Sequence, residues 1–239
     1  MITDPAKTVR EVAVEVPGAT RVFEKFGIDY CCGGSATLRD ACARAGITID
    51  EVNQAMDGGS EEAAPIPDVD WATAPLTGLT SYIIAKHHTF TSEELNRLGL
   101  LLGKVCSVHG ANHPEMLRIQ DLFASLTREL LPHMMKEERV LFPYIDEMDE
   151  AVRSNRAKPH PFFGTVQNPI RMMMQEHETA GEVLRQIREA SNNFAVPSDA
   201  CFSFQTLYPA LEAFEADLHQ HIHLENNILF PRAAEMESA

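Results

Sequence analysis

Tryptophan occurs once and tyrosine four times in these 239 residues, cysteine only five times, and no run of eighteen apolar residues exists anywhere in the chain. The missing apolar run excludes a bilayer-spanning helix. Five cysteines (31, 32, 42, 106 and 201) make an odd count, which is no disulfide framework and suits a reducing compartment. Basic residues are scarce too: 20 Lys and Arg stand against 35 Asp and Glu, a formal charge of −15. That field repels phosphate backbones and anionic membrane surfaces, so nucleic acid and membranes are set aside as partners. The opening MITDPAKTVREVAV lacks a basic segment followed by an apolar stretch and a small-residue cleavage site, which predicts a cytoplasmic protein.

What is present is helical patterning on an ordinary apolar content of 44%. Residues 57–70, DGGSEEAAPIPDVD, have no periodic apolar positions and read as a linker. Before it, residues 1–56 hold short helical stretches (TVREVAVEV, ATRVFEKFG, TLRDACARAG, TIDEVNQAM) with Thr or Ser caps and Gly ends, a small helical domain. Beyond it, residues 71–239 carry apolar positions at helical spacing in four long segments, roughly 75–108, 114–151, 168–191 and 199–236. The spacing predicts an all-α fold, an antiparallel four-helix bundle. Asn168 before Pro169 and Ser198 are candidate helix caps, and 152–167, with two prolines and a glycine, is an irregular connection.

The bundle repeats itself. HMMKEERVLFP at 133–143 and HIHLENNILFP at 221–231 share His, Glu four places on, and Leu-Phe-Pro at the same offsets. Residues i and i+4 lie on one helix face, so His133 with Glu137 and His221 with Glu225 each present an imidazole and a carboxylate together. His88 and His177 are similarly related. Four imidazoles and two carboxylates converging in a bundle favour Fe, Mn or Zn over Mg or Ca, and Glu137 and Glu225 can bridge two ions. A single helical histidine is commonly solvated or a hydrogen-bonded core residue; two His-x-x-x-Glu units in register are harder to reach by packing alone. A ferritin-like site would need Glu-x-x-His, and that spacing is absent.

Around this set the sequence leaves choices. His87 and His88 point about 100° apart on a helix, and the repeat favours His88. His219 and His223 flank His221 at i±2 and should face away, at the surface or beside a ligand. His109 and His113 fall in HGANHP, read as loop. Glu129, one turn before His133, and Glu176, next to His177, are candidates to orient a ligand or relay protons. The methionines at 134–135 and 172–174 read as core filling. Pro132 costs a backbone hydrogen bond directly before His133, where a kink would re-aim it. Cys31 and Cys32, before two glycines and a helix start with Ser35 as cap, are candidate reactive thiols in a transfer or redox role. Cys42, Cys106 and Cys201 read as packing.

FGIDYCCGG, the HH pair, HMMKEE with LFP, QEHETAG and HIHLENNILFP together resemble the iron-sulfur cluster repair di-iron proteins, also called Repair of Iron Centers proteins, over nearly the whole chain. The resemblance implies a ScdA-type N-terminal domain bearing the Cys-Cys motif and a hemerythrin-like bundle holding two non-haem irons. Matched position by position, the family's ligands fall on His88, His133, Glu137, His177, His221 and Glu225, with the glutamates bridging. It implies stress-response repair of clusters damaged by nitrosative or oxidative chemistry, by iron supply. The implied partners are the damaged iron-sulfur proteins and nitric oxide or oxygen as small ligands, with a homodimer among the assemblies allowed. A hemerythrin-like oxygen or nitric oxide binder or sensor, a nitric oxide reductase and a purely structural bundle are the competing readings.

Overall fold

The computed structural model describes residues 3–16, 18–31, 33–58 and 69–239; Cys32 and most of the expected linker lie outside the described residues. Helices α1 (Val9–Glu15), α2 (Ala19–Phe26), α3 (Leu38–Ala45) and α4 (Ile49–Gly58) form the N-terminal domain. Thr8 starts α1 in a capping box with Glu11, and Thr48 with Glu51 repeats the device at α4. The cap of α3 is Thr37 rather than Ser35, its hydroxyl accepting from the Asp40 amide at 3.1 Å. The helix therefore begins two residues later than the Ser35 reading placed it. Gly34 has to be glycine: a Cβ there would meet the Tyr30 carbonyl at 2.8 Å. Among the described residues the only bridge of β type is Thr8 with Thr37.

The bundle follows. Its first segment is α5 (Leu76–Ile83), a π-helical stretch at Ile84–His88, and α6 (Thr89–His109). The second is α7 (Glu115–Lys136), a π stretch at Glu137–Leu141, and α8 (Phe142–Arg153). The third is α9 (Gln167–Ala190); the fourth is α10 (Phe202–Leu224), a π stretch at Glu225–Leu229, and α11 (Phe230–Ser238). No helix among the described residues is long and apolar enough to cross a membrane. Two start signals differ from the sequence reading. Helix α9 begins one residue before Asn168, which instead donates to the Phe163 carbonyl, and α10 is capped at Cys201 rather than Ser198. Helix α7 runs on through Pro132, and its departure from regular winding comes at Glu137–Leu141.

Two apolar clusters fill the bundle. One gathers Leu98, Phe123, Leu126, Leu184, Phe204 and Phe214 among others, the other Leu79, Phe142, Ile145, Ile170 and Phe230. On every long segment the His and Glu positions fall between the two, so the polar layer is enclosed above and below by hydrocarbon. The connection after α8 is irregular and is tied to the last helix: Glu237 accepts from Thr165 Oγ1, from the Val166 amide at 2.9 Å and from Tyr144 Oη at 2.8 Å.

Candidate metal centre

The polar layer is a continuation of the apolar stripes. In α7 the buried positions run Met116, Ile119, Phe123, Leu126, Leu130 and His133, then Glu137; in α10 they include Phe204, Leu207, Leu211, Phe214, Leu218 and His221, then Glu225. Steps of three and four keep one side of a helix inward, so a His or Glu written into that register points to the core. Three of the four segments add a π-helical stretch here, with amide bonds five residues back from Thr89 to Ile84, Phe142 to Glu137 and Phe230 to Glu225. Such bulges recur at functional sites. Nothing in residue periodicity announces them.

The fold brings six side chains together as two groups that share both glutamates. His88, Glu137, His221 and Glu225 form one and His133, Glu137, His177 and Glu225 the other, with ligand atoms of each within 4.8 Å of one another. The Nε2 atoms of His88 and His221 face each other at 3.1 Å, those of His133 and His177 at 2.9 Å. Glu225 divides its oxygens between the groups: Oε1 lies 3.0 Å from His221, Oε2 3.1 Å from His177. Glu137 Oε2 stands 3.5 Å from His88 and 3.3 Å from His133. The pairing crosses the repeat, since the first segment faces the fourth and the second faces the third.

Among the described residues, both oxygens of Glu137 and Oε2 of Glu225 are buried with no hydrogen-bond donor. A buried carboxylate in that state costs several kcal/mol unless a cation meets it. Facing Nε2 atoms likewise want a cation between them, and the donor set of imidazole nitrogen and carboxylate oxygen is one that transition metals take. The residues fit a metal site. Burial depresses the proton affinity of His133, but Glu137 and Glu225 outweigh it and hold that pKa at about 9. The same balance raises His88, whereas at His221 burial prevails. Burial pushes the Glu225 carboxyl up, but His221, His177 and His88 pull it well below the usual carboxylate range.

Beyond the cage, Nδ1 of His88 donates to Glu138 at 2.8 Å, that of His133 to Glu176 at 2.7 Å and that of His177 to Asn226 at 2.8 Å. Glu176 is also held by Lys136. Glu129 is exposed on α7 and takes no part. Glu138 and Asn226 escaped the sequence reading, although each directly follows a cage glutamate. His87 is buried and points its Nδ1 to Asp217 at 3.0 Å, leaving the cage to His88. Phe142 lies over His88 with ring centroids 5.7 Å apart, and Phe230 over His177 at 6.0 Å and 3° between planes. The Phe of Leu-Phe-Pro thus covers a cage imidazole on another helix rather than only closing its own.

The N-terminal domain docks on this end of its own bundle. Asn227 donates to the Tyr30 carbonyl at 2.9 Å, and Gln220 to Tyr30 Oη at 2.9 Å. His219 pairs with Glu24 at 3.2 Å. His223 is buried rather than superficial: it accepts from Asn227 Nδ2 at 2.8 Å and meets the Tyr30 ring edge-on. Burial, with Arg10 nearby, pushes its pKa down to about 4, which keeps it neutral. Cys31 is 2% exposed, packs with the bundle core, and its carbonyl lies 3.4 Å from Asn226 Nδ2. A cleft of about 420 Å³ between α1 and α9, lined by Arg10, Arg171, Gln175 and Asn226, reaches the same spot.

Other sequence candidates settle elsewhere. His109 closes α6, and His113 pairs with Glu115 and Asp199. Met134 and Met173 are buried, but Met135, Met172 and Met174 are exposed, so only one residue of each run fills core. Cys42 and Cys106 are buried; Cys201 is exposed ahead of α10 rather than packed in it.

The hemerythrin HHE cation binding domain model matches residues 79–233, and that of ScdA_N, a domain of unknown function, matches residues 5–58. A probable iron-sulfur cluster repair protein of Haemophilus influenzae is 36% identical over 222 residues, 93% of this chain and 94% of its own. The iron-sulfur cluster repair protein YtfE of Pectobacterium atrosepticum is 37% identical over 229 residues, 95% and 96% of the two chains. That of Escherichia coli O81 is 37% identical over 224 residues, 93% and 94%.

Proposed function

This chain belongs to the iron-sulfur cluster repair proteins that carry a hemerythrin HHE cation binding domain, and we propose from that premise that it restores damaged iron-sulfur clusters by supplying iron from a two-metal cage. The observation that carries the reading is the sharing of Glu137 and Glu225 by two groups of buried ligand atoms. That sharing favours two metals over one, and the imidazole-carboxylate mixture suits iron. His88 and His221 would hold one, His133 and His177 the other.

The metal pair would supply exchangeable iron as cargo and open coordination for nitric oxide or oxygen. The protein's own residues do the rest. Glu138, Glu176 and Asn226 fix the tautomer and direction of three imidazoles. Phe142 and Phe230 keep water off His88 and His177. The ScdA-type domain packs Cys31 against the bundle within one chain. We assign the two cysteines a transfer or redox role and the protein a cytoplasmic location. The relatives' names favour repair over gas carriage or nitric oxide reduction.

The test is reactivation of a dehydratase whose cluster has been oxidised or nitrosylated. Iron-loaded protein is expected to restore activity beyond an equal concentration of free ferrous iron; equal recovery would falsify the proposal.

A further inference from the structure

We propose that the two positions of the cage hold iron unequally: the ion between His88 and His221 is the one surrendered, and the ion between His133 and His177 is retained. The inference rests on the two-metal reading above and adds which position supplies the cargo.

A neutral imidazole that binds metal through Nε2 carries its proton on Nδ1, and the partner of that N–H sets ring orientation and donor strength. Losing such a partner typically costs about 10–100-fold in metal affinity. His133 has the carboxylate of Glu176 and His177 the amide oxygen of Asn226. His88 has Glu138, whose side chain is 40% exposed. His221 Nδ1 is buried with no hydrogen-bond partner among the described residues.

The repeat explains the gap. Glu176 precedes His177 and reaches across to His133; the residue in the same place before His88 is His87. His87 turns its Nδ1 to Asp217 and lays its ring parallel to that of His221, centroids 5.8 Å apart and planes 8° apart. The His87 Nδ1 is thus engaged by Asp217, and the His87 ring beside His221 makes no hydrogen bond to its Nδ1. One half of the pseudo-symmetric cage thus has a carboxylate, itself anchored by Lys136, where the other half has a stacked imidazole.

The experiment uses full-length protein loaded anaerobically with ferrous iron to two per chain, then challenged with a chromogenic chelator. One equivalent is expected to leave about 10–100-fold faster than the other. Iron-edge anomalous diffraction from crystals frozen after the fast phase is expected to retain density only between His133 and His177. Glu176→Gln, at a partly exposed side chain, is expected to accelerate the slow phase by about tenfold and leave the fast phase unchanged, with Glu176→Asp restoring part of the difference. Release of both ions at one rate overturns the proposal, as does prior emptying of the His133–His177 position, the one linked through Asn226 to the cleft, or a slow phase indifferent to Glu176→Gln. A loading limit of one iron overturns the two-metal reading itself, an outcome visible before the chelator is added.

Discussion

The side-chain amide of Asn227 donates to the backbone carbonyl of Tyr30 at 2.9 Å and to His223 Nδ1 at 2.8 Å. One residue, two places after Glu225, therefore fastens the segment leading to Cys31 to the helical segment that carries His221 and Glu225.

Asn227→Ala removes a donor from two buried acceptors, and each orphaned group costs about 1–3 kcal/mol. Faster hydrogen exchange across residues 19–31 is expected with metal content unchanged, because Asn227 touches no cage imidazole other than through the backbone it shares with Glu225. Unaltered exchange in that stretch would mean that the docking rests on other contacts.

Phe230 covers His177 and is 1% exposed. Phe230→Ala is expected to lower unfolding free energy by about 3–5 kcal/mol, the range for truncating a buried aromatic, measured by chemical denaturation. Phe230→Leu, which keeps most of the volume, should cost less and retain the metal.

The double change His133→Ala and His221→Ala takes one imidazole from each group. Elemental analysis is expected to find the metal lost while far-UV circular dichroism keeps its helical signal, since the apolar clusters on both sides stay intact. Glu137→Gln strikes both groups at once, removing the shared negative charge, and is expected to lower metal content at both positions.

Burial would push the Glu237 carboxyl up, but hydrogen bonds from Thr165, the Val166 amide and Tyr144, with Lys158 close by, hold it below its ordinary value. A carboxyl depressed in the folded state contributes stability above its unfolded pKa of about 4.5 and loses it as pH falls through the folded value. Denaturation of wild type and Glu237→Gln is expected to show a difference in stability that is full at pH 7 and shrinks as pH is lowered below about 4.5. Exchange in residues 154–166 should report the same loosening.

Much of this arrangement was legible in residue spacing. His133, Glu137, His221 and Glu225 stand in the three-four register of their helices, and period alone aims them inward. Spacing could not choose between Glu129 and Glu176. Glu129 shares a helix with His133 yet faces solvent; Glu176 sits on a different helix and reaches His133 because α7 and α9 are neighbours. His223 deceived for a related reason, since on the bundle alone it faces outward, and it is the docked N-terminal domain that buries it.

By itself, the sequence determined the helices, their inward stripes and the six polar side chains written into them, because helical period is a local property of 3.6 residues per turn. Tertiary structure decided which helices adjoin, and so that His88 meets His221 and His133 meets His177. It also decided that Glu138, Glu176 and Asn226 back three imidazoles while His221 has no such partner among the described residues. Those are contacts between residues far apart in the chain, and they exist only once the apolar clusters have set each helix against its neighbour.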